Sequence, residues 1–328
     1  MKWLGTVDAL PEDWEQITSS AVEELSVQSV AELYPAMTVQ RSVSGCKYKF
    51  RRYAAEDEAA EKSRIYTALS DSLPRTPLCG AEGCLLCFEY IEAAETGFAS
   101  VHFQSLGAWL GNLAVETLDW ESPGSCDAAY QFWLNDLEMG HFFSPAIIRL
   151  AKARYLKLRP ARLLTSVNYW DAMPLNFGWK DGTLWLLDEK HLRPGILGVG
   201  LVKPRLFLPS QAYDLVVQGF GQPHLMSFIQ EYEDFLEYYY RTYALWFYLR
   251  GMRIKATSFD KNPRLRRFRT AFIAALDVSE DGRRREQRYF TLHYPIQNAR
   301  YFWMRIRRWW RRTVRAGTSK MVSPKSDD

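Results

Sequence analysis

No stretch of this 328-residue chain approaches the roughly 18 consecutive apolar residues that a bilayer-spanning helix needs, so no spanning helix is expected. The opening residues, MKWLGTVDALPEDWEQ, hold only a short apolar patch with early acids and do not read as a signal peptide. Cysteines are few and odd in number, five, which argues against a disulfide framework and for a reducing, cytoplasmic compartment. Cys79, Cys84 and Cys87 stand at a spacing that a metal site could use. The last two lie in an apolar run, GCLLCFEYI, with no nearby His to supply a fourth ligand. These cysteines are expected to pack as small hydrophobes. A G-x-G-x-x-G phosphate loop is missing, and so is any internal repeat.

What is present is ordinary for a globular protein, with 47% hydrophobic and 24% charged residues, and long enough for one large domain or two lobes. The charge is unevenly spread. Residues 300–315 carry seven Arg and no acid; without them a net charge of +4 becomes −3 for the rest of the chain. The basic balance therefore belongs to this segment, and no nucleic-acid partner is expected of the body. Projected as a helix, the segment places Phe302, Trp303, Ile306, Trp309, Trp310 and Val314 on one face and its arginines on the rest. That is the pattern of an interfacial helix on anionic lipid. Docking of the Trp face onto the body and nucleic-acid binding by the segment itself are the alternatives. Residues 318–328 are expected to be disordered.

Chemistry concentrates in residues 167–188, VNYWDAMPLNFGWKDGTLWLLD. Asp181-Gly182 between two apolar runs signals a hairpin. Antiparallel pairing about that turn brings Asn176 and Asp188 together at its open end, with Asp171 on the entering loop. Two carboxylates and a carboxamide at one edge make a site for Mg²⁺, a hard cation that prefers oxygen.

Upstream, residues 38–53 read as strands with a turn at Ser44-Gly45, and Lys47, Lys49 and Arg51 share one face by strand alternation. A helix follows over about 55–69, with Ile65, Ala68 and Leu69 as its apolar stripe and Glu61 four residues before Ile65. A carboxylate aimed inward needs a cation, and the strand offers Arg51 or Lys49. Residues 84–91 read as a buried strand. Helices are expected over 104–117, over 128–157 in two pieces split near Pro145, and over 225–250. Residues 191–209 read as irregular, and 279–288 as an exposed charged loop.

Asp171, Asn176 and Asp188 around this hairpin, following a strand cation and a helix acid, resemble the catalytic loop and metal-binding strand pair of the protein-kinase-like superfamily. The style is that of aminoglycoside and choline phosphotransferases, since Asp188 is followed by Glu189-Lys190 and not by Phe-Gly. The resemblance spans about residues 35–250. It implies a two-lobed α+β fold with a small mixed β-sheet N-lobe over 1–91 and a mainly helical C-lobe over 92–290, the basic segment and tail over 291–328 lying beyond. It also implies Asp171 as the base, and Asn176 and Asp188 as Mg²⁺ ligands. Arg51 or Lys49, braced by Glu61, would hold the ATP phosphates, and the hinge at Glu89 and Ile91 the adenine edge. Asp214 would brace the catalytic loop from behind. The expected activity is ATP- and Mg²⁺-dependent phosphorylation of a hydroxyl on a small molecule or glycan. Tyr169 where the family has His, the missing glycine loop and the strand cation left open between Arg51 and Lys49 keep a pseudokinase scaffold as an alternative. The Arg/Trp segment keeps another: a kinase of a lipid-linked sugar, peripheral at the inner membrane face.

Overall fold

The computed structural model describes residues 2–3, 36–41, 47–53, 55–91, 100–121, 125–251, 263–276, 278–293 and 295. The segment 300–315 and the tail 318–328 lie outside them. In chain order the elements are β1 (Lys2–Trp3), β2 (Ala36–Arg41), β3 (Lys47–Arg52), α1 (Glu56–Ala68), β4 (Leu78–Glu82), β5 (Leu85–Glu89), α2 (Ser100–Glu116), α3 (Cys126–Met139), α4 (Pro145–Leu158), β6 (Thr165–Tyr169), β7 (Phe177–Lys180), β8 (Thr183–Leu186), β9 (Leu192–Ile196), α5 (Val199–Phe207), α6 (Ser210–Phe220), α7 (Pro223–Glu231), α8 (Glu233–Gly251) and α9 (Pro263–Ala274). A further helix covers 280–293. Among the described residues no helix is long and apolar enough to cross a membrane. The chain divides into two compact units, Met1–Cys126 with Leu158–Tyr240, and Asp127–Lys157 with Arg241–Asp328.

The first unit contains a five-stranded sheet in the order β1-β4-β5-β3-β2, every ladder antiparallel. Strand alternation sorts β3 into two faces. Tyr48 and Phe50 pack with Cys79 and Cys87. On the other face Lys49 lies opposite Phe88 and Arg51 opposite Leu86. Phe88 meets Tyr66 of α1 edge to face, ring centroids 5.2 Å apart. The two strand cations therefore sit on the helix side of the sheet, buried. Helix α1 has no side-chain N-cap, but Glu56, Asp57 and Glu58 in its first turn complement the positive end of the helix dipole.

Two small ladders complete this unit: β6 with β9, and β7 with β8. The β7–β8 turn places Asp181 and Gly182 at φ 52° and 74°, the conformation that tight hairpins favour. The segment entering β4 is stitched to this hairpin, Thr76 N donating to Leu186 O (3.1 Å) and Leu186 N to Pro74 O (3.0 Å). Helices α2 and α6 touch backbone to backbone. A Cβ on Gly107 would lie 2.0 Å from Val216 O, and one on Gly111 2.0 Å from Phe220 O, so only glycine permits the crossing. Val216 and Leu113 are both almost fully buried beside it.

The stretch 191–209, expected to be irregular, instead contains β9 and α5. Pro194 pairs with Val167 in a two-stranded ladder, where a missing N–H is tolerated. The helix expected over 225–250 is two helices, broken at Tyr232. Tyr238, Tyr239 and Tyr240 are buried, so that aromatic run is core.

The second unit is helical. Tyr130 of α3 stacks on Tyr155 of α4 at 3.9 Å, and Trp133 stacks on Trp246 at 6.0 Å. Trp246 Nε1 donates to Asp136 Oδ2 (2.9 Å), which gives the buried carboxylate a partner. Residues 280–288, read from sequence as part of a charged loop, are helical because Glu286 and Phe290, one turn apart, face inward. Glu286 accepts from Arg269 at 3.2 Å and from Ser144 N at 3.2 Å.

Candidate functional site

All the sequence-derived site residues fall in the first unit. Asp171 follows β6 on a tight loop. Its carbonyl accepts from Met173 N (2.7 Å) and from Asn176 Nδ2 (2.7 Å). Asn176 ends a 3₁₀ turn, Pro174–Asn176, and its own carbonyl accepts from Leu187 N (2.9 Å) and Asp188 N (3.3 Å). Asp171, Asn176 and Asp188 are thus bonded into one assembly at the open end of the hairpin. Asn176 is buried and its amide is committed to Asp171, which leaves Oδ1 as its acceptor. Asp188 uses Oδ1 twice, accepting from Arg51 Nη2 (2.9 Å) and from Lys190 N (3.2 Å), while its side chain keeps 33% exposure.

The strand cations behave differently from expectation. Glu61 does not brace them. It lies on the flank of α1, paired with Arg64 (2.9 Å). The inward face of α1 runs through Ala59, Lys62, Ile65 and Tyr66, one residue around from Glu61. The acid that meets β3 is Glu189, fully buried. Its Oε2 takes Lys49 Nζ (2.5 Å) and its Oε1 takes Arg51 Nε. Lys49 also donates to Leu187 O (2.7 Å). Both cation candidates, Lys49 and Arg51, therefore converge on one carboxylate, and Arg51 spans it and Asp188.

Lys62, delivered from the helix, donates to Leu192 O inside this cluster. Burial, with Arg193 nearby, depresses its ammonium pKa to about 7. For Glu189 burial alone would raise the pKa, but Arg51 and Lys49 outweigh it and hold the carboxyl down at about 2. Arg51 is held firmly charged, since Glu189 and Asp188 overcome its desolvation. Tyr169, two residues before Asp171, is fully buried, and burial drives its hydroxyl pKa well up.

Three residues not singled out from sequence complete the site. Lys203 of α5 forms an ion pair with Asp171 Oδ1. His191 Nε2 lies 3.6 Å from Asp171 Oδ2. An imidazole thus reaches Asp171 from the turn after Asp188. Arg193 of β9 lies over the Trp170 ring, 4.2 Å from its centroid. The loop is fixed by Trp170 N donating to His191 O (3.0 Å). It is braced by Asn168, whose Oδ1 accepts from Gly200 N (3.3 Å). Asp214, expected to brace it, is exposed on α6.

At the hinge, Glu89 N donates to Pro77 O (2.9 Å) and Ile91 is buried. Neither is bonded into the carboxylate cluster. Among the described residues no group of three or more His, Cys, Asp or Glu is placed to hold a metal.

No family model and no curated protein matches the chain. Solved structures do. Choline kinase LicA from Streptococcus pneumoniae superposes with a TM-score of 0.58 at 13% identity, over 80% of this chain and 96% of that one. Amicoumacin kinase hAmiN, solved with AMP-PNP, Ca²⁺ and Ami, gives 0.52 at 13% identity, over 74% and 86%. The APH(2″)-IIa protein of a gentamicin complex gives 0.51 at 10%, over 84% and 98%. The chain thus shares the fold of these solved structures, two-lobed and α+β, with a small β-sheet region and a mainly helical region consistent with protein-kinase-like architecture.

Proposed function

We propose that this protein is an ATP- and Mg²⁺-dependent phosphotransferase acting on a hydroxyl of a small molecule or glycan. The observation that carries the reading is the convergence of Asp171, Asn176 and Asp188 at one hairpin end, with Arg51 of β3 bonded to Asp188. The residues fit a divalent cation. Asn176 has its amide committed and Oδ1 left, and Asp188 is one-third exposed and bonded through Oδ1 alone among the described residues. Two protein oxygens, with phosphate oxygens and water filling the rest, is the usual set for Mg²⁺. Bound there, the ion would neutralise charge on the phosphates. That the amicoumacin kinase was solved with AMP-PNP and Ca²⁺ agrees with a nucleotide and a divalent ion at such a site.

In this reading the acceptor hydroxyl lies against Asp171. Its oxygen bonds to the γ-phosphorus as the bond to the β–γ bridging oxygen breaks. ADP leaves with that electron pair, and the hydroxyl proton passes to the Asp171 carboxylate. Lys49 and Arg51 orient the phosphates while Glu189 keeps both cations in place. The backbone at Glu89 and Ile91 would hold the adenine edge.

A second reading is favoured by a specific observation. Both strand cations are already neutralised by Glu189 and Asp188, and Asp171 by Lys203. A site so paired internally suits a pseudokinase that uses the fold as a binding module. A cytoplasmic location follows from the use of ATP. Residues 300–315 would hold the protein at an anionic inner membrane face, where a lipid-linked sugar is the acceptor to test.

Titration with ATP, with and without Mg²⁺, tests the reading. Wild type should bind in a Mg²⁺-dependent way, Asp188→Ala should lose that dependence, and Asp171→Asn should keep binding but lose transfer. Metal-independent binding, or binding with no transfer to any hydroxyl compound, would favour the pseudokinase.

A further inference from the structure

Helix α5 sets Lys203 against the candidate base. The start of that helix is pinned to the loop carrying Asp171, with Gly200 N donating to Asn168 Oδ1 (3.3 Å) and Leu201 N closing the first turn on Gly198 O (2.9 Å). A Cβ at residue 200 would come within 3.1 Å of Tyr169 O, so the absence of a side chain there permits the approach. One helical turn further on, the Lys203 ammonium reaches Asp171 Oδ1. The pair is not sealed: the side chains keep 21% and 23% exposure. Such a pair lies between the exposed pairs that contribute little and the buried ones that carry a desolvation cost. It also acts against the role proposed for Asp171, because a cation resting on a carboxylate weakens it as a base.

The conflict resolves if the cation has a second anion to move toward. A base removing a hydroxyl proton sits about 3 Å from the acceptor oxygen, and that oxygen sits about 3–3.5 Å from the phosphorus it attacks. The transferring phosphorus must then lie within about 6.5 Å of the Asp171 carboxylate, with its oxygens around it. An ammonium already on Asp171, with three donor hydrogens on a flexible stem, is within reach of them. Negative charge spreads over those oxygens during transfer, and a fixed cation beside them lowers the barrier.

Resting on the phosphotransferase reading, we propose that Lys203 is a γ-phosphate-binding residue of this site, and that its shift from Asp171 to the terminal phosphate frees Asp171 to accept the acceptor proton only when the triphosphate is in place. The cation comes from the helix after β9 and not from the loop that carries the base. His191, 3.6 Å from the other carboxylate oxygen, keeps Asp171 oriented as Lys203 moves away.

The test compares two nucleotides that differ by one phosphoryl group, and it needs no acceptor. MgADP and Mg-AMP-PNP are titrated calorimetrically into the full-length chain, wild type and Lys203→Met. Lys203→Met is expected to bind MgADP within twofold of wild type and Mg-AMP-PNP about tenfold more weakly. Lys203→Arg should recover part of the loss. Equal affinities of wild type and Lys203→Met for both nucleotides would overturn the proposal, as would an equal loss for both. If Lys203→Met does not fold, Lys203→Gln, which keeps a polar head at this partly exposed position, reads the same ratio. Failure of wild type to bind either nucleotide would overturn the phosphotransferase reading itself, and the role of Lys203 with it. That outcome is distinct from a wild type that binds both while the variant discriminates no differently.

Discussion

Replacing Glu189 with Gln is the most direct test of how the site is held together. The side chain is 0% exposed and receives Lys49 on one oxygen and Arg51 on the other. Gln keeps the volume but removes the charge, so that Lys49 and Arg51 lose the buried carboxylate they share. Removing one partner of a buried pair costs about 3–5 kcal/mol. The displacement of the Glu189 carboxyl from its ordinary 4.5 down to about 2 gives a comparable figure, about 3 kcal/mol on the usual conversion. Glu189→Gln should therefore lose about 3 kcal/mol in urea unfolding at pH 7. The pH dependence follows from the same shift. A carboxyl whose folded-state pKa is depressed stabilises the native state above its unfolded value. That contribution is lost as pH falls through the folded value. The gap between wild type and Glu189→Gln should be full above about 4.5 and close as pH falls toward about 2. A loss under about 1 kcal/mol at pH 7, or a gap that does not change with pH, would refute the claim that this carboxylate is the anchor of both cations.

Lys62→Met should stabilise the protein most at and below pH 7. Its buried ammonium pKa is depressed from 10.5 to about 7, so the wild type gains on the variant by up to about 1.4 kcal/mol per pH unit as pH rises across that window; equal pH profiles in urea unfolding would contradict this. Cys79 and Cys87 should resist iodoacetamide in the native protein and react on unfolding, because burial pushes the Cys79 thiol up to about 12 and raises that of Cys87 as well; native labelling read by peptide mass mapping would count against it. Truncation after Gln297 should abolish sedimentation with anionic vesicles and spare nucleotide affinity, the wild-type binding weakening as salt is added. An unfolded or aggregating truncation product would show instead that the Trp face packs on the body.

What could be read from sequence was set by local chemistry. The hairpin is legible because Asp181-Gly182 fixes both turn type and register, and once the register is known Asn176 and Asp188 must meet. The strand cations are legible because alternation puts Lys49 and Arg51 on one face. The helix acid is not. Glu61 and Lys62 differ by about 100° around the helix, and choosing Ile65, Ala68 and Leu69 as the stripe omitted Tyr66, whose burial turns the inward face onto Lys62. Charge reasoning added to the error, since it favours an inward acid and argues against an inward lysine. β9 and α5 were hidden by Pro194, Gly195 and Pro204, which interrupt both periodicities; pairing with β6 overrides them. Lys203 and His191 reach Asp171 only through that tertiary arrangement. No spacing in the sequence announces it.

The consequence of the misplaced acid is chemical. With Glu61 as the brace, the phosphate-side cations and the metal-side carboxylate would be held by separate elements, a helix and a hairpin. Here consecutive residues do both: Asp188 is the candidate metal ligand and Glu189 anchors Lys49 and Arg51. Arg51 bonds to both carboxylates, so charge arriving at either oxygen set is felt by the other through one guanidinium. On the proposed function, a divalent cation at Asp188 would compete with Arg51 for that carboxylate, and phosphates binding Arg51 would leave Asp188 less neutralised. Each ligand would then improve the site for the other, and reciprocity of the two affinities is required by linkage. Metal and nucleotide should therefore bind cooperatively through Arg51. Lys62, whose ammonium pKa burial lowers to about 7, donates to Leu192 O, so α1 packs against this turn while Glu189 stays with Lys49 and Arg51.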